Sequence, residues 1–236
     1  MAQLPRRAFL LLLAAGWAFI VTSSLAYFDF SQVPAFMLEK MPLRFEHLWL
    51  TSLRVHVAAA LLSLPLCIVL MTRFLQRRPV LHRWLGRFAG MTLLFALVPS
   101  GAVLAFDAKG GKFVTAGFLL SGAIVAWCTV RGVLAARRGD LVGHRKMMQH
   151  VFAQMSVAVT SRAVLMGFEF TGFDPDLAYV IALWAPVLGS AFVVELLSLS
   201  RHRNSSLLER IRREFPSFDL AFRSRSLVRS ATRIGR

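Results

Sequence analysis

The residues from His144 to Arg162, HRKMMQHVFAQMSVAVTSR, place ionisable side chains at both ends of one apolar stretch. Eighteen residues at about 100° each make roughly five turns of an α-helix, so the two end residues share one face and lie about 27 Å apart along the axis. That length is close to the thickness of a bilayer. His150, Gln154 and Ser161 follow on a neighbouring stripe. The stretch therefore predicts a membrane-spanning helix with a polar seam.

The composition of the whole chain is typical of a membrane protein. Of its 236 residues, 56% are hydrophobic. Six apolar stretches reach about 20 residues, the length that crosses a bilayer. We number them spans 1 to 6, at about 8–28, 48–72, 88–107, 114–136, 145–170 and 177–200. We expect an all-α polytopic membrane helical bundle of about six transmembrane helices, with a four-helix core of spans 2 to 5 around the polar seam.

The chain is expected to divide into three parts. Residues 1–47 hold an N-terminal anchor helix and an outer surface segment, residues 48–200 form the membrane bundle, and residues 201–236 form a basic cytoplasmic tail. Span 1 follows Arg6 and Arg7 as a signal peptide would, but its small-residue end is a poor cleavage site, so we expect a retained anchor. Residues 29–47 mix apolar and charged residues, which favours a short helix on the outer membrane surface.

The distribution of positive charge predicts the orientation. The segments 73–87, 131–146 and 201–236, together with Arg6 and Arg7, hold 22 of the 28 lysine and arginine residues. The alternate connections hold four, and most of the acidic residues lie on that side. Because cytoplasmic loops accumulate Lys and Arg, both termini are expected in the cytoplasm of a multi-pass protein of the bacterial inner membrane.

The net charge of +16 follows from the same loops, so nucleic acid is not an expected partner. The arginine-rich tail would bind anionic lipids of the inner leaflet, or a larger membrane protein complex.

Cys67 and Cys128 lie inside apolar spans, away from any metal-ligand spacing, and are interpreted as small core residues. No nucleotide loop, nucleophile elbow or HExxH motif is present, which argues against kinase or hydrolase chemistry and leaves catalytic residues unassigned.

Ionisable residues inside a span are candidates for function, because burying them in hydrocarbon is costly. In the outer half these are Arg54, His56 and Arg162, with Asp107 near the rim. His56 lies on a stripe of small residues that would let another helix or a flat ligand approach. The arginines would hold haem propionates, a quinone oxygen or a small anion. Alternatively, rim carboxylates neutralise them and they serve packing only.

The inner half holds the other histidines. His82 opens span 3, His144 opens span 5, and His150 lies six residues further along the same helix. His144 and His150 are about 120° apart around the axis, so they cannot both ligate one iron from one helix. A haem held by two histidines would need His82 or another helix. Glu195, near the inner end of span 6, could orient a histidine by accepting its second N–H.

Three elements of the sequence identify a family resemblance. They are LRVHVAA at 53–59, LHRWLGR at 81–87, and RGD at 138–140 followed by HRKMM at 144–148. Together they resemble domain of unknown function 2306, a family of uncharacterised bacterial multi-spanning membrane proteins. The resemblance covers about residues 50–200 and implies the same fold, with an arginine in span 5 where Arg162 stands. His150 departs from the pattern, since the family would have arginine there, so an inner haem on His150 would be peculiar to this chain.

These observations leave three hypotheses of function. The first is a redox membrane subunit, similar to b-type cytochromes, that binds haem b or quinone. Its candidate cofactor ligands are His56, His82, His144, Arg54 and Arg162, with His150 as a further metal ligand. The second is a non-catalytic accessory or assembly subunit of a larger membrane complex. The third is a carrier of small anions that uses the two arginines.

Overall fold

A computed structural model describes residues 3–29, 43 and 45–214, with side chains in 8–29, 43, 45–200 and 203. Six helices in this part are long and apolar enough to cross a membrane. They are Ala8–Phe28, Glu46–Leu70, Pro79–Phe106, Gly111–Arg137, Leu141–Glu169 and Pro175–Ser200. The described residues contain no strand. The prediction of an all-α polytopic bundle with six spans is confirmed.

Span 3 begins earlier than the sequence predicted. Its helix starts at Pro79, whereas the sequence predicted a start at about residue 88. The first turns are amphipathic, so a search for continuous apolar residues does not detect them. The span has three parts, Pro79–Met91, a π-helix at Thr92–Leu97, and Val98–Phe106. Pro99 follows the π-helix and has no N–H to donate to the preceding turn. The π-helix forms a wider turn than the α-helix on either side, and such a wide turn frequently marks a functional site.

Spans 2 to 6 are joined by short connections. Span 1 is the helix Gln3–Ser24 with a 3₁₀ turn at Leu25–Phe28, and a four-residue helix, Arg73–Gln76, lies between spans 2 and 3. Gly110 adopts φ 94°, a left-handed conformation that favours glycine, and starts span 4 directly after span 3. The Asp140 carboxylate accepts a 2.8 Å hydrogen bond from the Gly143 amide and caps span 5. Consecutive helices from span 2 to span 6 are therefore antiparallel.

The polar seam of span 5 is buried between helices. Gln154 is 2% exposed, and its Nε2 donates to the Val187 carbonyl and to Ser190 Oγ at 3.0 and 3.1 Å. Ser121 Oγ of span 4 donates to Gln154 Oε1 at 2.8 Å. Since the hydrocarbon region offers no water to satisfy these groups, one amide joins spans 4, 5 and 6.

Span 1 packs on the bundle through few contacts. The Trp17 indole N–H donates to the Leu61 carbonyl of span 2 at 2.9 Å. A side chain at Gly16 would clash with a methyl group of Val159 in span 5, so the two helices approach closely there. Most of span 1 is exposed, and its role as an anchor stays a prediction.

The chain forms two compact units, Met1–Val194 and Glu195–Arg236. In the second unit the helix that began at Pro175 continues to Glu214. Most of the 29–47 segment and residues 215–236 lie outside the described residues, so the outer surface helix and the basic tail stay predictions.

We expect Gln154→Leu to lower the free energy of unfolding by about 1–3 kcal/mol, because the Ser121 and Ser190 hydroxyls lose their partner in a buried site. Denaturation of the purified protein in mixed micelles measures the change. Gln76→Leu is the control, because this glutamine is exposed beside Arg77 and its loss should cost less than about 0.5 kcal/mol. Equal stability of the two variants would contradict a structural role of the seam.

Candidate functional site

Two histidines meet at one end of the bundle, called the inner end because the charge distribution predicts that it faces the cytoplasm. His82 lies in the first turn of span 3 and His144 in the first turn of span 5. Their ring centres are 6.5 Å apart and their planes cross at 80°. The fold therefore brings together two of the predicted ligands, from segments 62 positions apart in the chain.

A backbone carbonyl fixes the orientation of His144. Its Nδ1 lies 2.9 Å from the carbonyl oxygen of Gly132 in span 4. A carbonyl oxygen only accepts hydrogen bonds, so Nδ1 carries the hydrogen and Nε2 of the neutral ring keeps its lone pair. An added Cβ at Gly132 would be 3.1 Å from Met147 Cβ, which shows that span 5 lies close to Gly132. Histidines that ligate a metal usually have their second nitrogen fixed in this way.

The neighbouring ring of His82 has an unsatisfied nitrogen. His82 Nδ1 is buried and has no hydrogen-bond partner among the residues that the structure describes. A buried polar atom without a partner costs free energy, and such atoms often mark a ligand site. The described part of the chain contains no group of three or more His, Cys, Asp or Glu that would hold a bare metal ion.

His56 is in the outer half of span 2 and contacts the wide turn of span 3. Its Nδ1 lies 3.0 Å from the Leu97 carbonyl oxygen and 3.4 Å from Ser100 Oγ. By the same reasoning Nδ1 donates to Leu97 and leaves Nε2 as an acceptor. Gly101 permits this contact, since an added Cβ would lie 2.9 Å from His56 Cε1. The small-residue face predicted on span 2 therefore receives span 3.

Arg162 belongs to the same outer region. Within the described part of the chain, its Nη1 donates to the Ala158 carbonyl of its own helix, at 2.7 Å, and not to a carboxylate. Arg162 and His56 lie at similar depths in spans 5 and 2, and their assignment to one site stays a prediction.

The other candidates lie elsewhere. Arg54 Nε donates to the Tyr27 carbonyl at 3.1 Å, which ties span 2 to the end of span 1. His150 is 7% exposed within the core, about 9 Å along the axis from His144. Asp107 is exposed at the end of span 3, and Glu195 opens the second unit. Their assignment as cofactor ligands or orienting groups stays a prediction.

We expect Gly101→Ala to destabilise the protein by about 1–3 kcal/mol, because the new methyl group displaces the His56 ring from the Leu97 carbonyl. Thermal unfolding in detergent measures the loss. Gly86→Ala is a matched control in the same span, since nothing lies within 4 Å of an added Cβ there. Removing a helical glycine should leave that variant as stable as the original or more so. Equal loss in both variants would contradict the close approach at Gly101.

The comparison with known proteins agrees with the fold. The family model described as "Predicted membrane protein (DUF2306)" matches residues 53–198, which include the inner histidine pair, His56, Arg162 and Tyr179. No curated protein and no solved structure matches the chain. The match covers more than half of the sequence and confirms the resemblance of its motifs. The chain belongs to the DUF2306 family of membrane proteins.

Proposed function

We propose that this protein is a redox subunit of the membrane, in which His82 and His144 would hold a haem b. The observation that supports the proposal is the contact between the two rings at the inner end of spans 3 and 5. The ring centres are 6.5 Å apart, so the two imidazoles are near enough to hold one ligand between spans 3 and 5.

The number of ligands favours haem over a bare ion. Structural and catalytic zinc sites take three or four protein ligands, and the described residues offer no such group. A haem brings four ligands of its own and needs one or two from the protein. A pair of histidines on two helices is therefore sufficient for haem and insufficient for zinc.

The surrounding residues fit this ligand. The Gly132 carbonyl holds the hydrogen of His144 on Nδ1 and leaves Nε2 for the iron. Arg83 and Arg145 directly follow the two histidines, and both are exposed at the inner end, where their charges suit two propionates. The bound haem would supply one-electron transfer. The protein's part is to orient the ligands and to keep water from them.

The same proposal places the protein in the bacterial inner membrane with both termini in the cytoplasm. Supporting this orientation, arginines stack on exposed aromatic rings at the basic end of the bundle. Arg87 lies 5.3 Å from the Trp84 ring centre and Arg131 lies 5.5 Å from that of Trp127, and each Trp is 64% exposed. Tryptophan and arginine at this level are typical of a membrane interface facing anionic lipids. The arginine-rich tail would add to that attraction, or bind a larger complex.

We expect the protein purified from haem-replete cells to show a Soret absorption band. His82→Ala and His144→Ala should each remove most of it, because a haem held by two histidines is weakened by the loss of either. His47→Ala, at an exposed site in the outer half, is the matched control and should retain the band.

His56→Ala distinguishes the two halves of the bundle. It should also retain the band if the haem binds at the inner pair. A colourless protein, or loss of the band from His56→Ala with His82→Ala unaffected, would contradict the assignment. A colourless protein would leave the accessory-subunit hypothesis as the better one.

A reporter enzyme that is active only in the periplasm, fused after Arg236, should remain inactive, because positive charge keeps that end in the cytoplasm. The same reporter inserted after Lys109, in the connection between spans 3 and 4, should be active. Activity at Arg236 and none at Lys109 would reverse the orientation. Expression of each fusion is checked by immunoblot.

A further inference from the structure

The first turns of span 3 present an exposed stripe of residues to the bilayer. Val80, Trp84, Arg87 and Met91 follow one another at steps of four, three and four residues, which return to nearly the same side of an α-helix. Val80, Trp84 and Met91 are each more than half exposed, whereas Ala89 on the opposite side is buried. The stripe therefore faces lipid, and it includes the full positive charge of Arg87.

Arg87 is held against the ring of Trp84. Its Cζ lies 5.3 Å from the ring centre, within the distance at which a cation is attracted to the face of an indole. Trp84 precedes Arg87, so it lies nearer the inner end, about 8 Å from the start of span 3. The contact therefore draws the guanidinium towards the membrane surface. It leaves the N–H groups of the arginine available as donors.

The surrounding chain supplies no anion for this charge. Between Glu46 and Asp107 the sequence contains no acidic residue, and these two lie at the outer ends of spans 2 and 3. Asp140, at the inner end of span 5, uses its carboxylate to cap that helix. Among the residues that the structure describes, Arg87 contacts the Trp84 ring and no carboxylate. A cation of this kind at a membrane surface attracts the phosphates of anionic lipids.

The other arginine that stacks on a tryptophan at this end is oriented differently. Arg131 Cζ lies 5.5 Å from the ring centre of Trp127. Span 4 runs from the outer end to the inner end, so Trp127 lies nearer the bilayer centre than Arg131 does. Stacking therefore draws this guanidinium away from the headgroups, whereas stacking in span 3 draws Arg87 towards them.

We propose that Arg87 and Trp84 form a binding site for the phosphodiester of an anionic phospholipid such as phosphatidylglycerol. The guanidinium would donate to the phosphate oxygens, and the indole N–H would donate to the same headgroup. Met91, one turn nearer the bilayer centre, would contact an acyl chain. Phosphatidylcholine suits the site less well, because its choline cation opposes the arginine charge.

This site differs from a general attraction of the basic end for anionic lipid, because it assigns one phosphodiester to two named residues. It rests on neither the haem nor the orientation proposed above. The pair would bind an anionic lipid in whichever leaflet it meets.

The test is the affinity of the full chain, purified in a non-ionic detergent, for phosphatidylglycerol, measured for each bound lipid by native mass spectrometry. The first phosphatidylglycerol should bind more tightly than phosphatidylcholine. Arg87→Met should weaken that binding by about ten-fold, because charge-assisted hydrogen bonds to the phosphate are lost. Trp84→Leu should weaken it by about three-fold, since the arginine loses the ring that holds it. Trp84→Phe, which keeps a ring, should weaken it less.

Arg77→Met and Arg131→Met are the matched controls, because each removes the same charge from the same end of the bundle. Arg77 is exposed and has no ring contact in the part of the chain that the structure describes. Each control should weaken binding by no more than about two-fold, since a charge that does not touch the headgroup is screened by salt. Thermal unfolding is measured on every variant, so that affinities are compared between folded proteins.

Three results would overturn the inference. The first is equal affinity of the original protein for phosphatidylglycerol and phosphatidylcholine. The second is a loss in Arg77→Met or Arg131→Met as large as that in Arg87→Met, which would assign the binding to total charge. The third is displacement of the lipid by excess inorganic phosphate, which would show that the acyl chains take no part. A colourless protein that binds phosphatidylglycerol through Arg87 would disprove the haem and leave this site intact.

Discussion

The hydrocarbon region cannot satisfy polar groups, so each polar side chain inside the bundle must find a partner in the protein or in a ligand. Gln154 shows the first outcome, because its amide is bonded to Ser121, Val187 and Ser190 on the flanking helices. It therefore holds spans 4, 5 and 6 together. Arg162 is a candidate for the second, because its partner in the described structure is a carbonyl of its own helix, which is a poor partner for a full charge. This difference separates a structural polar residue from a candidate binding residue.

Backbone carbonyls and glycines together orient the histidines. Gly101 lies against His56, and Gly132 provides the carbonyl that His144 contacts. In both cases the contact fixes the hydrogen on Nδ1, so Nε2 of the neutral ring is left with a lone pair that can accept a hydrogen bond or ligate a metal. A buried imidazole with a defined tautomer is suited to ligate a metal or to accept a proton, whereas an imidazole bonded through both nitrogens is not.

The two candidate sites lie at opposite ends of span 5, since His144 and Arg162 are separated by about 27 Å along its axis. That distance is nearly the thickness of the hydrocarbon core, so one cofactor cannot contact both residues. The inner pair, His82 and His144, has the ligand number of a haem.

The sequence determined the six spans and the motifs of the family, because apolar length and local spacing are properties of single segments. It could not locate the start of span 3 at Pro79, since an amphipathic turn lacks the apolar signal of the rest of the span. It proposed His82 as a partner for His144, yet only packing of spans 3 and 5 put the rings 6.5 Å apart. The carbonyls of Leu97 and Gly132 gave no sequence signal, because their roles arise from contacts between helices distant in the chain.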